Sequence, residues 1–362
     1  MQLSNSANTQ LQNGRILYFD YLRVLAIFTT VAIHIISHVW YSADVHGFSW
    51  KVYNVFLSFF CWGVPVFTMI SGALFLNPAR TVEIPTLYRK NIAKLLVGFC
   101  FWSIAYAVVF DIRGKSIGKF LYSMFTGDFH MWFLFMIAVM YMLTPLLRKF
   151  TCDIHLTAYF LKLSFLLSFV IPQVLFILNV LDIPYFDNII QGLSKSCGDM
   201  EAYFPHFYLF YFVGGYYLSV TELSPKARKV IYALGIAGYF FTVIATDLYS
   251  GFLGVENQSF HAKNGVNIAL MTIAVFTFGK YELSRIHFSE KSTALICKLS
   301  GYAIGIYYVH LMIIKAAYGL FDLAEKGIHP FVTCIVFPPI AFVASVIATA
   351  VMRRIPLLKK VV

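Results

Sequence analysis

The chain has 362 residues, 59% of them hydrophobic, 18% aromatic and only 12% charged, with a formal net charge of +11 and a mean hydropathy of +0.73. A soluble domain carries about twice that charged fraction, so the composition excludes one and indicates a polytopic membrane protein. The basic balance alone would suggest nucleic acid, but the placement of the cations, taken below, gives a better account of it.

Residues Met1 to Gly14 are polar and lack the apolar centre of a cleaved signal, so residues 1–17 are expected to form a cytoplasmic N-terminal segment, with the first span as its own insertion signal. Ten apolar runs of about 20 residues follow, the length that crosses a bilayer as helix. They lie near 18–40, 54–76, 92–111, 130–147, 157–180, 203–220, 229–249, 266–283, 294–319 and 331–352. The expected architecture is therefore all-α, with about ten transmembrane helices in a membrane domain over 18–352 and a tail over 353–362. A long loop is expected over 181–202, where Pro184, Gly192 and Gly198 fall.

An even number of spans places both termini on one side. The termini and the even-numbered loops hold Arg15, Arg80, Arg89, Lys90, Lys94, Arg148, Lys149, Lys226, Arg228, Lys229, Arg285, Lys291, Arg353 and Arg354 among others, more than twice the cations of the odd-numbered loops. Basic loops stay in the cytoplasm, so both termini are expected there, and the high isoelectric point needs no nucleic acid. The six cysteines show no CxxC pair and mostly lie in or beside apolar runs, where they read as small packing residues. No internal repeat is visible, which disfavours a transporter built from duplicated halves.

The first run, "YFDYLRVLAIFTTVAIHIISHVW" (18–40), carries Asp20, Arg23 and His34. Ionisable groups within a span are expensive and mark function. Arg23 and His34 are 11 residues apart, which is close to three whole turns and about 16 Å of rise, so both project from nearly one face. A guanidinium at the cytoplasmic mouth suits phosphate, and an imidazole deeper in suits proton transfer. Coenzyme A thioesters have the matching shape, with phosphates at one end and the reactive carbonyl at the other. The plainer alternatives are an Arg23 that snorkels to the headgroups and a His34 that only packs; Asp20 then pairs with Arg23 or sits at the interface.

"FDYLRVLAIFTTVAIHI" resembles the opening of the acyltransferase-3 family of integral membrane acyltransferases, where a basic residue and a histidine lie on the first helix. The likeness continues in "VPVFTMISGALFL" (64–76, with Ser71), "HMWFLFMIAVMYMLTPLL" (130–147, with His130 and Trp132), "YFVGGYYL" (211–218) and "SGYAIGIYYVHLMII" (300–314, with Tyr307 and His310). The family's paired arginines at the start of the third helix are replaced here by "YRKNIAK", which offers Arg89, Lys90 and Lys94.

This resemblance implies a bacterial inner-membrane enzyme that takes an acyl group, acetyl by preference, from acetyl-CoA as co-substrate and passes it to a carbohydrate hydroxyl, with no metal. In that scheme Arg23, Arg89, Lys90 and Lys94 hold the CoA phosphates, and His34 is either general base or transient acyl acceptor. His130, Trp132 and Tyr307 are candidate donors to the developing oxyanion, and His310 supports them or is a buried imidazole. Asp20, Ser71, His130 and Glu201 are candidates on the acceptor side. Glu201 comes with Asp182, Asp187 and Asp199 from the outer loop, whose ordinary role is a solvated face. The expected partners are acyl-CoA, a carbohydrate acceptor and the bilayer, with homo-oligomerisation left open. Three other readings stay open: a transporter or flippase of a lipid-linked saccharide, a succinyl-CoA-dependent glucan acyltransferase, and a non-catalytic assembly partner.

Overall fold

The structure is a computed structural model that describes residues 11–12, 15–111, 116–181, 187–203, 206–321 and 327–362. In chain order its helices are α1 Leu17–Trp40, α2 Phe48–Phe60, α3 Gly63–Phe75, α4 Ile84–Thr86, α5 Ala93–Tyr106, α6 Ile117–Thr126, α7 Trp132–Thr151, α8 Ile154–Phe165, α9 Ile171–Leu181, α10 Asp187–Tyr203, α11 His206–Val220, α12 Pro225–Leu253, α13 Val266–Tyr281, α14 Glu290–Phe321, α15 Pro330–Ile335 and α16 Phe337–Met352. Only a two-residue antiparallel pair, Leu11–Gln12 with Arg15–Ile16, precedes α1, and the fold is all-α. π-helical turns over Leu87–Ile92 and Leu166–Val170 join neighbouring helices into longer rods, and one over Ala107–Asp111 extends α5.

Among the described residues, nine helical stretches are long and apolar enough to cross a membrane, and they coincide with nine of the ten runs read from the sequence. The tenth, α11, has 15 residues. That is a rise of about 22 Å, short for a span. Its burial explains how it serves: Tyr208, Phe210, Tyr211, Phe212, Val213 and Tyr216 all lie in the core, so protein rather than lipid covers most of its length. Parity supports a tenth crossing. Arg15 reaches Ser300 through Asp20, and Arg353 donates to the Gly301 carbonyl at 2.8 Å, so the chain enters and leaves beside the start of α14.

Helix α1 is enclosed by its neighbours, packing on α2, α3, α14 and α16. Apolar side chains all round a helix require this surrounding. The closest helix approach joins α3 and α11. A Cβ on Gly72 would lie 1.7 Å from the Phe212 carbonyl oxygen, and one on Gly215 would lie 2.0 Å from that of Met69. The glycines of "MISGALFL" and "YFVGGYYL" therefore serve backbone contact, the small-residue packing by which helices associate when lipid is as apolar as the side chains.

Two segments expected as loops are helical. Most of 181–202 forms α10, with Ile190 turned into the protein while Leu193 and Lys195 face out. Residues 117–126 form α6, started by Ser116, whose hydroxyl accepts from the Lys119 N–H. Ile117, Leu121, Tyr122 and Phe125 give α6 one exposed apolar face, as on a helix lying in the membrane interface. The tail over 353–362 is not free either. Trp102 Nε1 donates to the Val361 carbonyl at 3.0 Å, and Val361 and Val362 are buried.

Two outcomes are expected. Gly72→Leu should lower the melting temperature in detergent by the equivalent of about 1–3 kcal/mol or prevent accumulation. Gly118→Leu, where a Cβ meets nothing within 4 Å, should leave it unchanged. Cysteines placed singly at Arg15 and at Arg353 in a chain cleared of its own thiols should be labelled from the same side by a membrane-impermeant reagent; opposite labelling would contradict the even number of crossings.

Candidate active site

The site is built where α1, α14 and the turn before α7 meet. Asp20, 3% exposed, organises its basic end. Its Oδ1 accepts from Ser300 Oγ at 2.5 Å, Arg15 Nη2 at 2.8 Å and Arg23 Nη1 at 3.3 Å, and Arg23 Nη1 also donates to Ser300 Oγ at 2.8 Å. A buried carboxylate is tolerated because two guanidiniums and a hydroxyl satisfy it. Asp20 is thus an anchor that orients Arg23. Among the described residues, Nη2 and Nε of Arg23 carry no hydrogen bond, leaving one edge of the fork for an incoming anion.

A cavity of about 160 Å³ is lined by Arg23 and, further along α1, by Thr30, with Ser71, Leu95, Tyr141 and Tyr307 on the facing helices. Arg23 to Thr30 is about 10 Å along the helix, and His34 follows one turn later. Beyond the cavity three imidazoles converge. The ring of His310 lies 5.2 Å from that of His34 and 5.3 Å from that of His130, and His34 and His130 are 6.4 Å apart. They come from three separate segments: α1, the turn Phe129–Met131 and α14. Gly127, at φ +71°, makes the turn that delivers His130, a conformation other residues rarely adopt.

Hydrogen bonding fixes one tautomer. His310 Nδ1 lies 2.7 Å from the Tyr307 carbonyl oxygen and 3.1 Å from that of Ile306. Carbonyls only accept, so Nδ1 carries the proton and the Nε2 lone pair is free. Among the described residues Nε2 of His310 and both ring nitrogens of His130 are buried without a hydrogen-bond partner. Buried imidazole nitrogens left open in this way call for a polar partner. His34 is half-buried, with its ring edge toward Phe129 at 5.4 Å. No group of three or more His, Cys, Asp or Glu among the described residues is arranged to hold a metal ion.

Not every sequence candidate joins this centre. Tyr307 lines the cavity, but its hydroxyl donates to the His130 carbonyl at 2.7 Å. That proton is committed to holding the His130 turn, so Tyr307 positions the turn and is no free oxyanion donor. Trp132 is 43% exposed with its ring against Tyr208 at 5.6 Å, away from the cavity lining; its indole packs at the surface. Arg89 and Lys90 are exposed on the π-helical turn, and Lys94 is exposed beside Leu95 of the cavity wall. None of the three forms an ion pair among the described residues. Glu201 lies in α10, but its side chain, like those of Asp187 and Asp199, is outside those described, and Asp182 lies outside the described residues altogether.

One pair escaped the sequence reading. Lys315 forms an ion pair with Asp128, and its ammonium lies 5.4 to 5.8 Å from the ring centres of Phe110, Tyr106 and Phe129. Asp128 Oδ1 also stands 3.8 Å from His130 Nδ1. The signal was available: Lys315 falls five residues after His310 in an apolar run, and an ionisable group there needs a nearby partner.

Compared with known protein families, residues 16–354 match the acyltransferase-3 family, described as an acyltransferase domain. No curated protein and no solved structure gives a significant match. With nearly its whole length covered by the match, this polytopic membrane protein belongs to the acyltransferase-3 family.

Proposed function

We propose that the protein transfers an acetyl group from acetyl-CoA, bound from the cytoplasmic side of a bacterial inner membrane, to a hydroxyl of a cell-surface polysaccharide or its lipid-linked precursor. The observation that carries this reading is the cavity that joins the free edge of Arg23 to the approach of the three histidines. Its axis matches a ligand with phosphates at one end and a thioester at the other. Arg23 takes a phosphate, with Lys94 beside the cavity wall and Arg89 and Lys90 on the same basic face. The pantetheine arm follows the apolar lining past Ser71 and Tyr141.

Two courses remain at the thioester. In the first, His34 takes the proton of the acceptor hydroxyl as its oxygen attacks the carbonyl; the tetrahedral intermediate expels CoA thiolate, which receives that proton from the imidazolium. In the second, His34 itself attacks, CoA leaves, and the hydroxyl then attacks the acyl-imidazole. In both, the developing oxyanion needs a donor, and His130 has buried ring nitrogens free for it. His310, held as the Nδ1–H tautomer, offers its Nε2 lone pair to the centre. The acceptor class follows the sequence likeness: the opening, the "VP…MISG" segment and the "H-x-WF" segment resemble those of the enterobacterial common antigen O-acetyltransferase.

Purified protein incubated with radiolabelled acetyl-CoA tests this. CoA release is expected from the wild type, reduced by about 100-fold or more in His34→Ala. Arg23→Ala should weaken CoA binding about tenfold or more through loss of a charged contact. Label retained on the protein and lost with His34 selects the acyl-imidazole course. Absence of acetyl-CoA and CoA binding in the wild type would overturn the reading in favour of a saccharide transporter. In competition, acetyl-CoA should displace labelled CoA more readily than succinyl-CoA; the reverse order would favour a glucan succinyltransferase.

A further inference from the structure

The long helix α14 takes a side chain from another helix into its backbone hydrogen bonding at one turn where it has neither proline nor glycine. In a regular helix the Met312 N–H would bond the Tyr308 carbonyl. Here the Met312 N–H donates to the Tyr106 hydroxyl oxygen at 2.9 Å, and the Tyr106 hydroxyl donates to the Tyr308 carbonyl at 2.8 Å. One oxygen atom from α5 bridges the donor and the acceptor of one rung of the α14 ladder. Insertion into the i→i−4 ladder is a recognised cause of helix bending, because the turn must widen to admit the guest.

The position of the wedge matters. His310 lies inside the bridged turn, between the two residues that Tyr106 bonds. The nearer acceptor for its Nδ1–H is the carbonyl of Tyr307, the residue just before the Tyr308 carbonyl that Tyr106 bonds, and the farther is the carbonyl of Ile306. The same stretch carries the Tyr307 hydroxyl that holds the His130 turn, and the Tyr106 ring stands 5.5 Å from the His130 ring. The wedge is itself enclosed: Tyr106 is 3% exposed, with α14 on one side and the Asp128–Lys315 pair at its rim. A tyrosine placed only to fill space would not have both its donor and its acceptor matched to one rung of another helix.

We propose that Tyr106 is a positioning residue for acyl transfer: by replacing the Met312–Tyr308 backbone bond, its hydroxyl sets the turn of α14 that holds His310 as the Nδ1–H tautomer with Nε2 toward His34 and His130. This rests on the acyl-transfer reading above for its consequence on rate, but not for its consequence on structure. Without the hydroxyl, the Met312 N–H returns to the Tyr308 carbonyl, the turn closes, and the Tyr307 carbonyl swings back along the helix axis away from the imidazole.

Tyr106→Phe is the direct test, because it removes one oxygen and keeps the ring. Two readouts are taken on full-length protein in detergent. The imidazole nitrogen resonances of isotope-labelled histidine, assigned to His310 with His310→Asn, should show the Nδ1–H tautomer in the wild type and its loss in Tyr106→Phe. In acetyl-CoA hydrolysis without acceptor, Tyr106→Phe should lower kcat about tenfold or more, since a shift of about 1 Å in a catalytic group has that order of effect. KM should stay within about twofold, because the arginine end is untouched. Adding His310→Ala to Tyr106→Phe should lower kcat no further than His310→Ala alone. Tyr106→Gln, which keeps a donor and an acceptor, should recover the wild-type tautomer in whole or part, and it stands in if the phenylalanine variant does not accumulate. An unchanged tautomer in Tyr106→Phe, or a loss of kcat that adds to that of His310→Ala, would overturn the proposal. Wild-type protein that releases no CoA would count against the acyl-transfer reading alone, and the resonance measurement would still decide the role of Tyr106.

Discussion

The carboxylate of Asp20 is the contact on which the architecture hangs. It is buried at the basic end of α1 and accepts from Arg15, Arg23 and Ser300 together. An unpaired carboxylate at that depth would be prohibitive, so the three donors must be assembled wherever α1 is inserted. Ser300 belongs to α14, which makes the ion-pair cluster a clamp between the two helices. Both helices run in the same direction from that clamp. His34 lies about 21 Å beyond Asp20 and His310 about 15 Å beyond Ser300, and the two rings meet at 5.2 Å. One end of the helix pair sets register, and the other end uses it.

On the proposed reading, the same arrangement separates binding from chemistry. Arg23 takes part in the clamp through Nη1 and keeps its other edge free. The histidines sit among aromatic rings, with His130 and His310 buried. In such surroundings a directed lone pair or N–H acts more strongly than it would in water, and a charge left alone there is correspondingly disfavoured. The Tyr307 carbonyl and hydroxyl serve the two neighbouring histidines, one by accepting from His310 and the other by donating to the His130 backbone. A single turn of α14 therefore orients two of the three imidazoles, and its geometry is in turn set by the Tyr106 hydroxyl.

Much of this was legible in the sequence, and the failures have physical causes. Arg23 and His34 were recognisable because a spacing of 11 residues fixes a shared helix face regardless of context. The segment 181–202 was read as a loop from its proline and glycines, yet most of it coils into α10, where Ile190 finds burial. Trp132 and Tyr307 had the right chemistry for an oxyanion donor, but whether a donor is free depends on what stands next to it. Trp132 lies against Tyr208 at the surface, and the hydroxyl of Tyr307 is taken by a carbonyl. Asp128 and Lys315 were passed over because their partnership links positions 187 residues apart.

By itself the sequence determined the all-α membrane class, nine of the spans and the shared helix face of Arg23 and His34, since each follows from local length, hydropathy or helical period. Tertiary structure alone decided which histidines meet His34, that Asp20 is an anchor, that a 15-residue helix completes the bundle against Gly72, and that the Tyr106 hydroxyl bridges a rung of α14. The physical reason is common to all four. Helical period tells which face a residue occupies, but the partner on that face comes from another segment, chosen by how buried polar groups and closely packed backbones can all be satisfied at once.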